Sequence, residues 1–191
     1  MHFKTNRLNL FINTYTDKNE GRNTELQECL LKNKLNNPSA NIYELVGRPT
    51  FREVFNVINS VTDRDSINIV LNSDIYLPEG FVCNPQPGEC YALSRWDVNA
   101  DGSATHYNNS GSQDTWIFRG AIRMVEGANF TQGVAGCDNK IAYLLTEAGY
   151  VVTNPSTTIK TYHLHLSGIR YYDKGNKTYR LPRPRINVPI T

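Results

Sequence analysis

The chain has 191 residues, with 20 Lys plus Arg against 18 Asp plus Glu and an ordinary apolar share of 39%. That length suits one domain that buries its own core without disulfides or a structural metal. A formal net charge of +2 is too small for the concentrated basic stripe of a nucleic-acid-binding domain, and no apolar run approaches the ~20 residues of a membrane helix.

The opening "MHFKTNRLNLFINTY" alternates apolar and polar residues from the start, unlike a signal peptide. Within it, Arg7 to Tyr15 reads as a first strand. Asn23 to Leu35 follows as a helix capped by Asn23 or Thr24, its faces defined by Leu26, Cys29, Leu30 and Asn33 or Lys34. Asn41 to Val46 is a second strand. Thr50 to Val61 is a second helix, with Thr50 as N-cap, Glu53 completing a capping box, and Phe51, Val54, Phe55 and Ile58 as the buried stripe. Ser66 to Leu77 is a third strand whose Ile69, Val70 and Leu71 lie mid-sheet. A β-α-β-α-β order favours a parallel sheet with right-handed crossovers, in which ligands bind beyond the carboxyl ends of the strands.

In the second half, Cys90 to Val98 and Ala104 to Asn108 read as a hairpin around Asn99 to Gly102. "DVNADG" opens like an EF-hand loop, but the twelfth position is Asn108 where a bidentate glutamate is needed. Asp114 to Gly120 is a strand. Asp138 to Tyr150 is a helix capped by Asp138 and closed by Gly149. "YVVTNPS" is a strand turning at Asn154–Pro155, and "TIKTYHLHL" is the final segment. Residues 172–191 form a proline-bearing tail, extended on the body or mobile, of a single domain spanning 1–191. Cys29, Cys83, Cys90 and Cys137 show neither C-x-x-C nor zinc-finger spacing; Cys83 and Cys90 are close enough to bridge a loop, but isolated buried thiols of a soluble, cytoplasmic protein are the commoner reading. The sequons at Asn108, Asn129 and Asn176 are then silent.

Four stretches carry chemistry. Asn72 and Asp74, ending a buried strand, put an amide and a carboxylate at the sheet rim, where oxygen ligands hold Mg2+ or Mn2+ against a diphosphate; the structural alternative is a turn. His163 and His165 share a strand face by the period of two, so they suit one metal or a phosphate, or simply a polar face, with Lys160 adding charge nearby. Asp114 precedes an apolar strand. Asp138 starts a helix, where it is a cap against the helix dipole or a base facing a sugar.

Taken in order, "LNSDIYL", "SQDTWIF", "GCDNKIAYLL" and "KTYHLHL" resemble the GT-A glycosyltransferase superfamily: a strand ending in an Asp-x-Asp metal motif, a donor- and acceptor-contacting loop, a helix-start acidic motif and a C-terminal metal-binding histidine. The resemblance covers roughly Leu8 to Tyr171. The small size is similar to compact glycosyltransferases of large algal viruses that decorate capsid glycoproteins, which would place the protein in a host cytoplasm.

The resemblance implies a Rossmann-like, mixed but mainly parallel α/β sheet flanked by helices. It also implies Mn2+ or Mg2+, a UDP-sugar donor such as UDP-glucose, and a glycan or glycoprotein hydroxyl as acceptor, with no nucleic-acid partner. Asp74 matches the principal metal ligand. Asn72 stands where an aspartate is usual, which leaves metal contact to Asp74 and a histidine. Thr14, Tyr15, Thr16 and Arg22 fall beside the nucleoside, Arg48 stacks on or bonds the base, and Ser73 and Lys160 adjoin the diphosphate. Asp114 or Asp138 orients sugar hydroxyls. Asp138 is the base if configuration inverts, and the leaving phosphate takes the proton if it is retained. Two other classes compete. One is a sugar nucleotidyltransferase, for which no glycine-rich, lysine-bearing loop follows the first strand. The other is a non-catalytic carbohydrate-binding module that stacks sugars on Trp96, Tyr107 and Trp116.

Overall fold

A computed structural model describes residues 7–169 and 181–191. The first half runs β1 (Leu8–Thr14), α1 (Glu20–Asn36), β2 (Asn41–Val46), α2 (Phe51–Val61) and β3 (Ile67–Leu71). The second half runs β4 (Ile75–Tyr76), β5 (Glu89–Leu93), β6 (Trp96–Val98), β7 (Ala104–His106), β8 (Thr115–Arg119), α3 (Cys137–Glu147), β9 (Val151–Thr153) and β10 (Tyr162–His163). The chain is a mixed α/β protein. Its main sheet has the order β2-β1-β3-β8-β5-β9, and a smaller one has the order β4-β10-β6-β7. In the main sheet β1 pairs in parallel with β2 and β3, β9 in parallel with β5, and β8 alone runs antiparallel to its neighbours β3 and β5.

Strand alternation sorts side chains onto two cores. Phe11, Val70, Trp116 and Phe118 face α2 and α3, while Leu10, Ile12, Ile69, Leu71 and Ile117 point to the other side. Each such side chain fully buried contributes about 1.5–3 kcal/mol. Helix α2 has the expected cap and stripe: Thr50 and Glu53 form the capping box, and Phe51, Val54, Phe55 and Ile58 are buried.

Helix α1 starts earlier than the sequence suggests. Asn19 is its N-cap, accepting from the Arg22 backbone N–H at 3.0 Å. Asn23 instead braces the approach, bonding both backbone groups of Asp17. The buried face of α1 holds Arg22, Glu25, Leu26, Cys29 and Asn33, a helical spacing written partly in polar residues. Asn33 donates to Ile75 O and accepts from Leu77 N, clamping β4 with its buried amide.

Three strand assignments change. The expected third strand stops at Leu71, because Asn72 to Asp74 turn (Ile75 N–H to Asn72 O, 3.0 Å) and the chain resumes as β4 in the other sheet. The expected Cys90-to-Val98 strand likewise divides. At Ser94, whose N–H is held by Asn154 Oδ1, the chain leaves the main sheet after β5 and enters the small one as β6. The hairpin around Asn99 to Gly102 is present as β6–β7, with Gly102 at φ 83°. His163 closes β10, so His165 lies beyond the strand.

Helix α3 begins one residue before Asp138. Gly136, at φ 81°, is its N-cap and no side chain caps it, so Asp138 sits inside the first turn instead of capping the helix. Trp116 is 1% exposed and belongs to the core, not to a sugar-stacking surface. All four cysteines are free thiols. Of the tail, 181–191 lies along the body. Val188 is buried, and backbone bonds join Leu181 to Ala135, Ile186 to Asn139, Val188 to Ser110 and Thr191 to Asn154. The rest of the expected tail, 172–180, and the sequon at Asn176 lie outside the described residues. Among the described residues no helix is long and apolar enough to cross a membrane.

Candidate functional site

A cleft of about 450 Å³ opens at the carboxyl ends of β1 and β3. Backbone pairing assembles its centre. In the small sheet His163 stands opposite Ile75 on one side and Asp97 on the other, and Leu164 N–H bonds Asp74 O at 3.0 Å. The strand register therefore sets the His163 ring between two carboxylates. Nε2 is 3.1 Å from Asp74 Oδ2 and Nδ1 is 2.7 Å from Asp97 Oδ1. The His165 ring meets that of His163 edge to face at 5.4 Å between centroids. Asp74, His163 and His165 each offer a ligand atom within 4.8 Å of the others, the one such group among the described residues.

Arg22 reaches this centre from α1, with Nη2 at 2.5 Å from Asp74 Oδ2 and Nη1 at 3.0 Å from Glu25 Oε2. Glu25 also accepts from the Ser167 backbone and hydroxyl. On the far side Arg95, stacked on the Tyr107 ring, bonds Asp97 at 2.7 Å and Asp114 at 3.0 Å. Asn72 Nδ2 donates to the other oxygen of Asp114 at 2.8 Å. Side chains thus run continuously from Asp74 through His163, Asp97, Arg95 and Asp114 to Asn72, which is two residues from where the chain of contacts began.

The environment shifts several of these groups. Burial works to raise the Asp74 carboxyl, but the bonds and charges of His163 and Arg22 outweigh it and hold it well below the usual carboxylate range. Burial also lowers the His163 imidazole, yet Asp74 and Asp97 override it and bring it up to about 9. Asp97 is pulled down to about 2, as His163 and Arg95 overcome the burial that would raise it. His165 moves down, through burial first and then the charges of Arg22 and His163. Asp138 moves strongly up, because it is buried and faces the Asp114 charge; a bond from the Cys137 thiol (3.1 Å) and one from the Gln113 backbone only partly offset this.

The donor set fits a divalent cation. It combines one carboxylate with two imidazoles. His165 Nε2 faces a carbonyl, Ile169 O, at 2.8 Å, so that nitrogen carries the proton and Nδ1 keeps its lone pair. Around the centre the carboxylates of Glu25, Asp74, Asp97 and Asp114 face the guanidinium groups of Arg22 and Arg95 and the His163 ring, so once a cation takes the place of the His163 Nε2 proton two negative charges are left for it to balance.

Of the other residues singled out in the sequence, Tyr15, Arg48, Asn72, Ser73, Asp114 and Asp138 line the cleft. Arg48 sits over the Tyr15 ring at 4.8 Å. Ser73 is tied down, its hydroxyl donating to Asn13 O at 2.6 Å. Arg22 lines the cleft as the buried partner of Asp74 and Glu25. Thr14 lies in a separate small hollow beside α1, and Thr16 is exposed outside the cleft, because β1 ends and the chain turns into the α1 cap. Lys160 is also outside. Its ammonium rests on the Trp96 ring at 4.1 Å, which holds it away from the cleft lining.

Sequence reasoning missed Glu25, Arg95 and Asp97. The signal for the last two was an Arg and an Asp two apart on an extended segment, which share a face. The sequence matches no protein-family model, and no curated protein matches it.

Proposed function

We propose that this protein is a metal-dependent glycosyltransferase of the GT-A type, moving a sugar from a nucleoside-diphosphate sugar to a hydroxyl of a glycan or glycoprotein. The observation that carries the reading is the meeting of Asp74, His163 and His165 in a cleft whose other wall holds Asp114 and Asp138. A mainly parallel sheet with one reversed strand, and a cleft at the strands' carboxyl ends, support the fold assignment. The choice of UDP rests on the resemblance of the four motifs, and a reducing, cytoplasmic setting suits four free thiols.

Asp74, His163 and His165 would hold Mn2+ or Mg2+, which when bound supplies a counter-charge for a departing diphosphate. Arg48 adds a cation at the cleft wall. Asp114 has both oxygens engaged, by Asn72 and Arg95, so it is a fixed acceptor that orients sugar hydroxyls. Among the described residues Asp138 is held only by the Cys137 thiol and the Gln113 backbone, with no cation beside it in direct contact, and its proton affinity is raised toward neutrality, which suits a group that takes a proton from the attacking hydroxyl. The test is incubation with a panel of nucleotide sugars and Mn2+. Release of UDP that is lost in Asp74→Ala supports the reading. Pyrophosphate from UTP and a sugar phosphate, or sugar binding without turnover, overturns it.

A further inference from the structure

The role of Asp97 follows from where β6 puts it. Asp97 is the register partner of His163, and its carboxylate lies behind the ring at 2.7 Å from Nδ1, on the side opposite Asp74. Its other contact is Arg95 Nε, and Arg95 in turn grips Asp114. The Asp97 side chain is 39% exposed, and ion pairs that open to water contribute little stability. What the carboxylate does fix is direction. Both ring nitrogens face a carboxylate, so the free ring carries a proton on each; a cation at Nε2 displaces the proton on the Asp74 side, and Asp97 keeps the remaining one on Nδ1. A carboxylate behind a ligating imidazole orients the ring and raises its donor strength.

We propose that Asp97 is a positioning residue of the cation site: it locks the tautomer and orientation of His163 and, through Arg95, keeps that ring in register with Asp114. The inference rests on the metal reading of the cleft and adds a residue to it. Asp97 touches neither substrate nor cation; it acts through His163.

The experiment titrates Mn2+ into the whole protein and reads free Mn2+ by electron paramagnetic resonance, for the wild type, Asp97→Ala, Asp97→Asn and Asp74→Asn. Asp97→Ala is expected to weaken Mn2+ binding about 10–100-fold. Asp97→Asn, whose amide oxygen still accepts from Nδ1–H, falls between the two. A second readout avoids any confusion with misfolding: in the Mg2+-loaded protein, 15N–1H correlations of the His163 ring show the Nδ1–H tautomer in the wild type and a mixture in Asp97→Ala. Mn2+ affinity unchanged in Asp97→Ala but lost in Asp74→Asn overturns this inference alone. A wild type that binds no Mn2+ overturns it together with the metal reading.

Discussion

Arg22 and Asp74, 52 residues apart, meet as a 2.5 Å ion pair between the first turn of α1 and the loop after β3. Both side chains are largely buried, at 7% and 15% exposure. Removing one partner leaves the other charge desolvated and unpaired, so Arg22→Met is expected to cost about 3–5 kcal/mol in urea unfolding. The Arg22→Met/Asp74→Asn double variant should recover part of that loss, which a double-mutant cycle measures. Mn2+ should raise the unfolding midpoint of Arg22→Met more than that of the wild type, since a bound cation replaces the missing charge.

Asp138 carries the opposite kind of strain. Burial and the Asp114 charge raise its folded-state proton affinity above that of the unfolded chain. The folded state therefore binds the extra proton, and stability falls as pH rises from the ordinary aspartate value of about 3.9 through the raised one. Asp138→Asn removes the charge that causes the loss. At pH 8 to 9 it should be more stable than the wild type by about 1–3 kcal/mol, with the difference vanishing at pH 4. Turnover should fall about 100-fold or more, as expected for loss of a general base. Thermal unfolding across pH, beside UDP release, checks both halves; a variant destabilised at pH 9 contradicts the account.

The two helices of the first half show what in the fold was legible. Helix α2 follows its sequence signals because its buried stripe is wholly apolar and its capping box is local. Helix α1 hides its register, because Arg22, Glu25 and Asn33 occupy buried positions that apolar periodicity reads as surface. Those residues are buried because distant partners, Asp74, Ser167 and β4, satisfy them. The candidate site divides in the same way. Asp74, His163 and His165 stand out by residue type and spacing, and the structure brings them together. Asp97 and Arg95 share a strand face in the sequence, but they reach His163 and Asp114 only because the chain changes sheets at Ser94, a break held by Asn154 from 60 residues away. Lys160 shows the converse: closeness in sequence to His163 did not bring its ammonium into the cleft, and it rests instead on the Trp96 ring.

Glu25 ties α1 to the segment after β10, accepting from Arg22 and twice from Ser167. Burial tends to raise its carboxyl, but the Ser167 and Arg22 bonds win and lower it. A lowered folded value means that the unfolded state binds the proton more readily. Its stabilisation is therefore complete above the unfolded glutamate value of about 4.3 and is lost as pH falls through the lower folded value. Glu25→Gln should cost about 1.5–3 kcal/mol at pH 7. The gap to the wild type should close below pH 4, as measured by urea unfolding at several pH values. A gap that is constant with pH would show that the charge of Glu25 plays no part.

Arg48 and Lys160 separate position in the fold from position in the sequence. Both are exposed cations resting on aromatic rings, Arg48 on Tyr15 and Lys160 on Trp96. Only Arg48 lines the cleft. A guanidinium at the wall bonds a phosphate or a base edge with two parallel N–H groups, and a bond to a charged group is worth about 1.5–3 kcal/mol. Arg48→Ala is therefore expected to weaken binding of the UDP-sugar in calorimetry about tenfold or more. Arg48→Lys, which keeps the charge without the fork, should recover only part of it. Lys160→Ala should bind as the wild type does, because its ammonium is held outside the lining. If Lys160→Ala weakens binding and Arg48→Ala does not, the diphosphate enters from the small-sheet side, and the nucleotide is oriented oppositely to the arrangement proposed here.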